Sequence, residues 1–173
     1  MDFKGCGILL TENCNARCKM CCDSRGMVRG KTLSLEELDL ILTNIKECKF
    51  INIVGVTGGE PMLYPELVEH IINFDYGREV GVTIKTNGFW GANIEKAKSF
   101  ITRNKEKLRM ISFSYDEFHK EFIDLQNIIN IIDIADDLFP LEAARTAEQT
   151  AAVRPQENLL YDEERTGIDH IIL

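Results

Sequence analysis

Three cysteines share one short polar stretch, Cys14-Asn15-Ala16-Arg17-Cys18-Lys19-Met20-Cys21, a C-x3-C-x2-C run. Thiolates are soft metal ligands. Three on one loop can each take one iron of a cubane [4Fe–4S] cluster, leaving the remaining iron open to another molecule. A structural zinc ion normally wants four protein ligands. Cys22 is a poor fourth, because a side chain adjacent to Cys21 would have to turn back to the same ion. Cys6 could be recruited instead, so zinc stays open at this level. All six cysteines lie at or before Cys48, and no basic stretch leads into an apolar secretion signal. That pattern points to metal or redox chemistry before disulfides. Cys6 and Cys48 read as small buried hydrophobes.

A second candidate is Gly58-Gly59-Glu60-Pro61. Glycines let a backbone approach a ligand closely. Glu60 can accept a charge-assisted hydrogen bond from an ammonium group, and Pro61 fixes the turn that follows. Taken alone the four residues also suit a plain turn. Thr86-Asn87-Gly88 and Ser114-Tyr115-Asp116 are two further polar groups, which read equally as turn formers or helix caps. His119 has the chemistry of an acid or base, and suits a surface or helix-start histidine just as well.

The elements that must position these groups follow from periodicity. Cys6 to Thr11, Phe50 to Val56, Val80 to Thr86 and Met110 to Ser114 are short apolar runs with strand character. Between them lie helical patterns. Ser34 and Glu37 form a capping box ahead of Leu35, Leu38, Ile41, Leu42 and Ile45, which predicts a helix to about Lys46. Pro65 opens a second helix with Leu67, Val68, Ile71 and Ile72 on its apolar face, and Gly77 stops it. Ile94, Ala97, Ile101 and Leu108 mark a third. Leu125, Ile128, Ile129 and Ile132 carry a fourth toward Ala135. Alternation at this spacing predicts βαβ units and a parallel sheet with right-handed crossovers. Every polar candidate then falls at the carboxyl end of a strand, where such folds build their sites.

With the cysteine loop after the first strand and Gly-Gly-Glu-Pro after the second, the chain resembles the radical SAM (S-adenosylmethionine) superfamily over residues 5–135. The resemblance implies an α/β fold, a partial βα barrel of which about four βα units are legible. It implies Cys14, Cys18 and Cys21 as ligands of a [4Fe–4S] cluster whose open iron chelates S-adenosylmethionine. Gly58, Gly59, Glu60 and Pro61 match the motif that holds the methionine amino group. Ser114 is implied as a further cofactor contact, with Asn87 and Asp116 as cavity residues. Met20 stands where an aromatic residue commonly packs near adenine, and a thioether can fill that space. The implied activity is reductive cleavage of S-adenosylmethionine to a 5′-deoxyadenosyl radical that abstracts hydrogen from a peptide or small molecule. Such an enzyme needs an electron donor such as flavodoxin or ferredoxin. Other readings are a catalytically incomplete iron–sulfur protein or subunit, a glycyl-radical-enzyme activase, and a zinc-stabilised binding module.

Composition narrows the field further. The 173 residues carry 20 Lys and Arg against 28 Asp and Glu, a net charge of −8 that disfavours phosphate-backbone binding and hence nucleic acid. No apolar run approaches the roughly 18 residues a membrane helix needs, so a cytoplasmic location is expected. Beyond Asp136 the composition changes: lysine is absent, alanine is concentrated at 143–152, and isoleucine does not return until Ile168. Leu141 to Ala152 reads as a weak helix and Arg154 to Gly167 as loop. We therefore divide the chain into a core, 1–136, and an atypical tail, 137–173. The tail is shorter than two further βα units of about 30 residues each. The expectation is a truncated, fused or frame-shifted C-terminus, or a partner chain that completes the barrel.

Overall fold

The computed structural model describes residues 4–21, 30–138 and 170–172. Four strands, β1 (Gly5–Thr11), β2 (Ile53–Gly58), β3 (Gly81–Thr86) and β4 (Leu108–Ser114), pair in parallel in sequence order. Each is followed by a helix: α1 (Leu35–Glu47), α2 (Pro65–Asn73), α3 (Ile94–Asn104) and α4 (Leu125–Leu138). A short fifth strand, β5 (His170–Ile172), pairs antiparallel with β4. The α/β class and its βα rhythm follow the sequence pattern.

The strands alternate in burial, and the alternation fixes the register. Ile8, Leu10, Val54, Val56, Val82, Ile84, Ile111 and Phe113 join one core with Leu38, Leu42, Ile71, Ile101 and Ile128 from the helices. A one-residue slip would turn these rows away from the helices, at about 1.5–3 kcal/mol for each large side chain exposed. The intervening residues face the other way. Gly55 pairs with Thr83 and Thr83 with Met110, while Leu9 and Lys85 on that face are exposed. Among the described residues no helix covers it. Parallel sheets are ordinarily covered on both faces unless they curl into a barrel, so this face has the character of a partial barrel interior.

Local chemistry sets the element ends, and here the sequence-based bounds shift. The capping box forms as expected: Glu37 N donates to Ser34 Oγ at 3.2 Å and Ser34 N to Glu37 Oε2 at 2.9 Å. β2 starts at Ile53 rather than Phe50, because residues after α1 turn back first, Ile51 N donating to Cys48 O at 3.0 Å, and Phe50 is 63% exposed. Arg78 holds that turn, its guanidinium donating to the carbonyls of Ile45, Lys46, Cys48 and Ile51. α2 stops at Asn73, not at Gly77: Phe74 is extended (ψ 141°), and the Tyr76 hydroxyl donates to Ile71 O. Leu108 keeps helical spacing from Ile101 but belongs to β4, paired with Val82. α4 runs past Ala135 to Leu138. The predicted helix over 141–152 and loop over 154–167 lie outside the described residues.

Candidate functional site

The cysteine loop leaves β1 at Thr11 and is tied at its base. Glu12 N donates to Lys31 O at 2.8 Å, Leu33 N to Leu10 O at 3.0 Å, and the Thr11 and Thr32 hydroxyls lie 2.7 Å apart. Asn13, 9% exposed, adds a junction: its Nδ2 donates to Thr32 Oγ1 and to Tyr64 Oη, and its Oδ1 accepts from Gly30 N. Nothing in sequence marked Asn13, because a lone asparagine in a polar loop carries no periodic signal.

The glycine pair meets this loop from β2. Gly59 N donates to Thr11 O at 2.7 Å, and Glu60 N to Asn13 O at 2.8 Å. A Cβ on Gly59 would fall 2.2 Å from Asn13 O, and one on Gly58 (φ +132°) 2.4 Å from Thr11 O. The close approach these glycines permit is therefore to the backbone of the cysteine loop. That is a structural demand beside the ligand approach and the plain turn that the motif suggests.

Glu60 is fully buried. Its Oε1 accepts from Met62 N (2.9 Å) and Thr86 Oγ1 (2.7 Å), and its Oε2 accepts from Asn87 N (2.7 Å). Burial pushes its carboxyl up to about 7, against the opposing pull of those three donors. Asn87 carries the tie onward, its Nδ2 donating to Asn15 Oδ1 at 2.9 Å on the cysteine loop. A single carboxylate thus links the ends of β2 and β3 and, through Asn87, the loop of thiols.

A cavity of about 140 Å³ opens where these segments meet. Cys14, Cys18, Cys21, Met20, Gly58, Gly59, Asn87, Ser114 and Asp116 all line it. Glu60 and Pro61 do not; both are buried behind its wall. Thr57, Lys85, Thr86 and His119 line it as well. Strand parity was the available signal for Lys85, two residues beyond Thr83 on the uncovered face. His119 Nδ1 lies 2.7 Å from Asp116 Oδ1, which also accepts from Phe118 N and His119 N. Although burial opposes it, these bonds hold the Asp116 carboxyl below its usual range.

Cys6, Cys14, Cys18, Cys21 and Cys48 carry thiols rather than disulfides. Burial first, then the neighbouring Cys14, Asp116 and Cys21, push the Cys18 thiol up to about 11. Cys6 lies away from the cavity, its thiol raised by burial and by Cys48, which removes it as a fourth zinc ligand. Among the described residues no three His, Cys, Asp or Glu side chains converge as a single metal ion requires. Cys22 lies outside the described residues. No described helix is long and apolar enough to cross a membrane.

The fold and site together define a one-sided parallel βα sheet with a three-cysteine loop at its carboxyl edge. The chain belongs to the radical SAM superfamily, whose sequence profile matches residues 8–145. It is 28% identical over 134 residues to the "Putative peptide biosynthesis protein YydG" of Bacillus subtilis (strain 168), a match covering 77% of this chain and 42% of that protein. It is 29% identical over 133 residues to a GTP 3′,8-cyclase of Limosilactobacillus fermentum, covering 73% of this chain and 39% of the relative. A third relative is the human Molybdenum cofactor biosynthesis protein 1, 32% identical over 115 residues, with 63% of this chain and 17% of that one covered. The chain thus spans less than half the length of each of these relatives.

Proposed function

We propose that this chain binds a [4Fe–4S] cluster through Cys14, Cys18 and Cys21 and S-adenosylmethionine beside it, as a radical SAM enzyme acting on a peptide or small molecule. The observation that carries this reading is the meeting of all three thiols with the Gly58-Gly59 turn and the ends of β3 and β4 around one cavity. A cubane takes one thiolate at each of several irons, which suits three spaced thiols better than a lone tetrahedral ion does. When bound, the two groups supply reductive cleavage to a 5′-deoxyadenosyl radical. The protein's part is binding, orientation and exclusion of side reactions.

The residues divide that work. Gly58 and Gly59 offer backbone carbonyls toward an ammonium, Ser114 a hydroxyl from β4, and Met20 an apolar surface for a purine. Asn87 and Asp116 form the polar walls. Glu60 and Pro61 serve from behind, holding the turn rather than touching the ligand. We assign this role to the core, residues 1–136, with the tail 137–173 outside it. Electrons come from a reduced flavodoxin or ferredoxin, which suits a cytoplasmic setting. The peptide and nucleotide chemistry in the relatives' names favours a substrate from one of those two classes.

The experiment is anaerobic reconstitution of the chain, followed by iron analysis and an assay for 5′-deoxyadenosine after chemical reduction. About four irons per chain and product formation support the reading. Bound zinc without iron overturns it. Iron without 5′-deoxyadenosine favours the second reading, an iron–sulfur subunit completed by another chain.

A further inference from the structure

Among the described residues lining the cavity, Lys85 is the one lysine or arginine. Its ammonium makes no hydrogen bond or ion pair among the described residues, whereas Lys31, Lys46, Arg103 and Arg109 each meet a carboxylate. It does not stand on a mobile surface helix. β3 holds its backbone between two partners, with Lys85 in register with Ser112 of β4 and Thr83, two residues earlier, in register with Gly55 of β2. Thr57, at the end of β2, lines the same cavity as Lys85. On a sheet face that no described helix covers, this ammonium has hydroxyl-bearing neighbours but no carboxylate partner, so its charge is left uncompensated by the described residues.

The charge around it points the same way. Asp116 is the carboxylate on the cavity wall, and its Oδ1 already accepts from His119 and two backbone N–H groups. With a net charge of −8 the chain does not attract anions in general, so an anion bound here would be held locally. Lys85 lies one residue before Thr86, which turns the opposite way and holds Glu60. Lys85 therefore projects from the uncovered face of the sheet and lines the same cavity as the thiols.

We infer that Lys85 anchors an anionic group, a carboxylate or a phosphate, of the molecule on which the site acts. The inference rests on the enzymatic reading above and adds a recognition element to it. Binding of such a group joins a charge-assisted hydrogen bond to flanking hydroxyls.

The test uses the full chain and isothermal titration with two probes, pyrophosphate for a phosphate source and N-acetylglutamate for a peptide carboxylate. One probe is expected to bind in a saturable, salt-sensitive way. Lys85→Gln should weaken it about tenfold, and Lys85→Arg should retain most of the affinity. The probe that binds identifies the source. Binding of neither probe, or equal affinity in Lys85→Gln, overturns the inference. So does a loss confined to S-adenosylmethionine on the reconstituted protein, which would assign Lys85 to the cofactor. Anion binding with no 5′-deoxyadenosine formation would fault the enzymatic reading and leave Lys85 in place.

Discussion

Thr86 Oγ1 donates to Glu60 Oε1 across 2.7 Å, between residues 26 positions apart in sequence. The same hydroxyl accepts from Gly88 N and Trp90 Nε1, so it links the buried carboxylate to the turn after β3. Glu60 was expected to face a ligand. In the structure it faces the protein, and its effect on the cavity passes through Thr86 and Asn87.

Replacing Glu60 by Gln should therefore destabilise the fold. One amide oxygen can serve Met62 and Thr86, but the amide nitrogen then faces the Asn87 N–H, donor against donor. We expect a loss of about 1–3 kcal/mol, read from chemical denaturation of the cluster-free chain. An unchanged midpoint would show that the tie is dispensable.

The same residue predicts a pH dependence. Its carboxyl is raised from 4.5 to about 7 by burial, so between those values the native state holds a proton that the unfolded chain releases. The stabilisation is full below about 4.5 and is lost as pH rises through about 7. Between pH 8 and pH 5.5 the wild type should gain stability relative to Glu60→Gln. A constant difference between the two proteins would contradict the assignment.

Gly59→Ala and Gly7→Ala form a matched pair. A Cβ at Gly59 meets Asn13 O at 2.2 Å, whereas one at Gly7 meets nothing within 4 Å. The first should cost about 1–3 kcal/mol or more through overpacking against backbone. The second should be neutral or slightly stabilising through reduced freedom of the unfolded chain. Equal thermal midpoints for the two variants would remove the close approach as the reason for glycine at 59.

Cys18→Ala should abolish iron binding on anaerobic reconstitution, because two thiolates do not hold the cluster proposed here. Cys6→Ala and Cys48→Ala, on thiols away from the cavity, should leave iron content and the visible spectrum as in the wild type. Iron retained in Cys18→Ala would withdraw that ligand.

Much of the fold was legible along the chain because its signals are local. The Ser34 capping box, the 3.6-residue repeats and the apolar runs each declare themselves within a few residues. Errors fell where two patterns agree over a short span: Leu108 continues the helical spacing of Ile101, yet pairing with Val82 places it in β4. The motifs of the candidate site are local in the same way. The cysteine spacing, Gly-Gly-Glu-Pro and the polar residues closing β3 and β4 are contiguous motifs.

The sequence by itself determined the four βα units, the superfamily and the loop that carries the thiols, since period, capping and spacing are one-dimensional properties. The tertiary structure decided which way each polar group points. Glu60 turns inward because Thr86 and Asn87, far away in sequence, supply the donors that make its burial tolerable. Lys85 turns outward because β3 alternates, and the helix side of the sheet is filled by Val82 and Ile84. The orientation of Lys85 follows the parity of its strand, whereas that of Glu60 is not written in its neighbours. Glu60 is set by partners that only folding brings within reach, because a buried carboxylate without them would be costly.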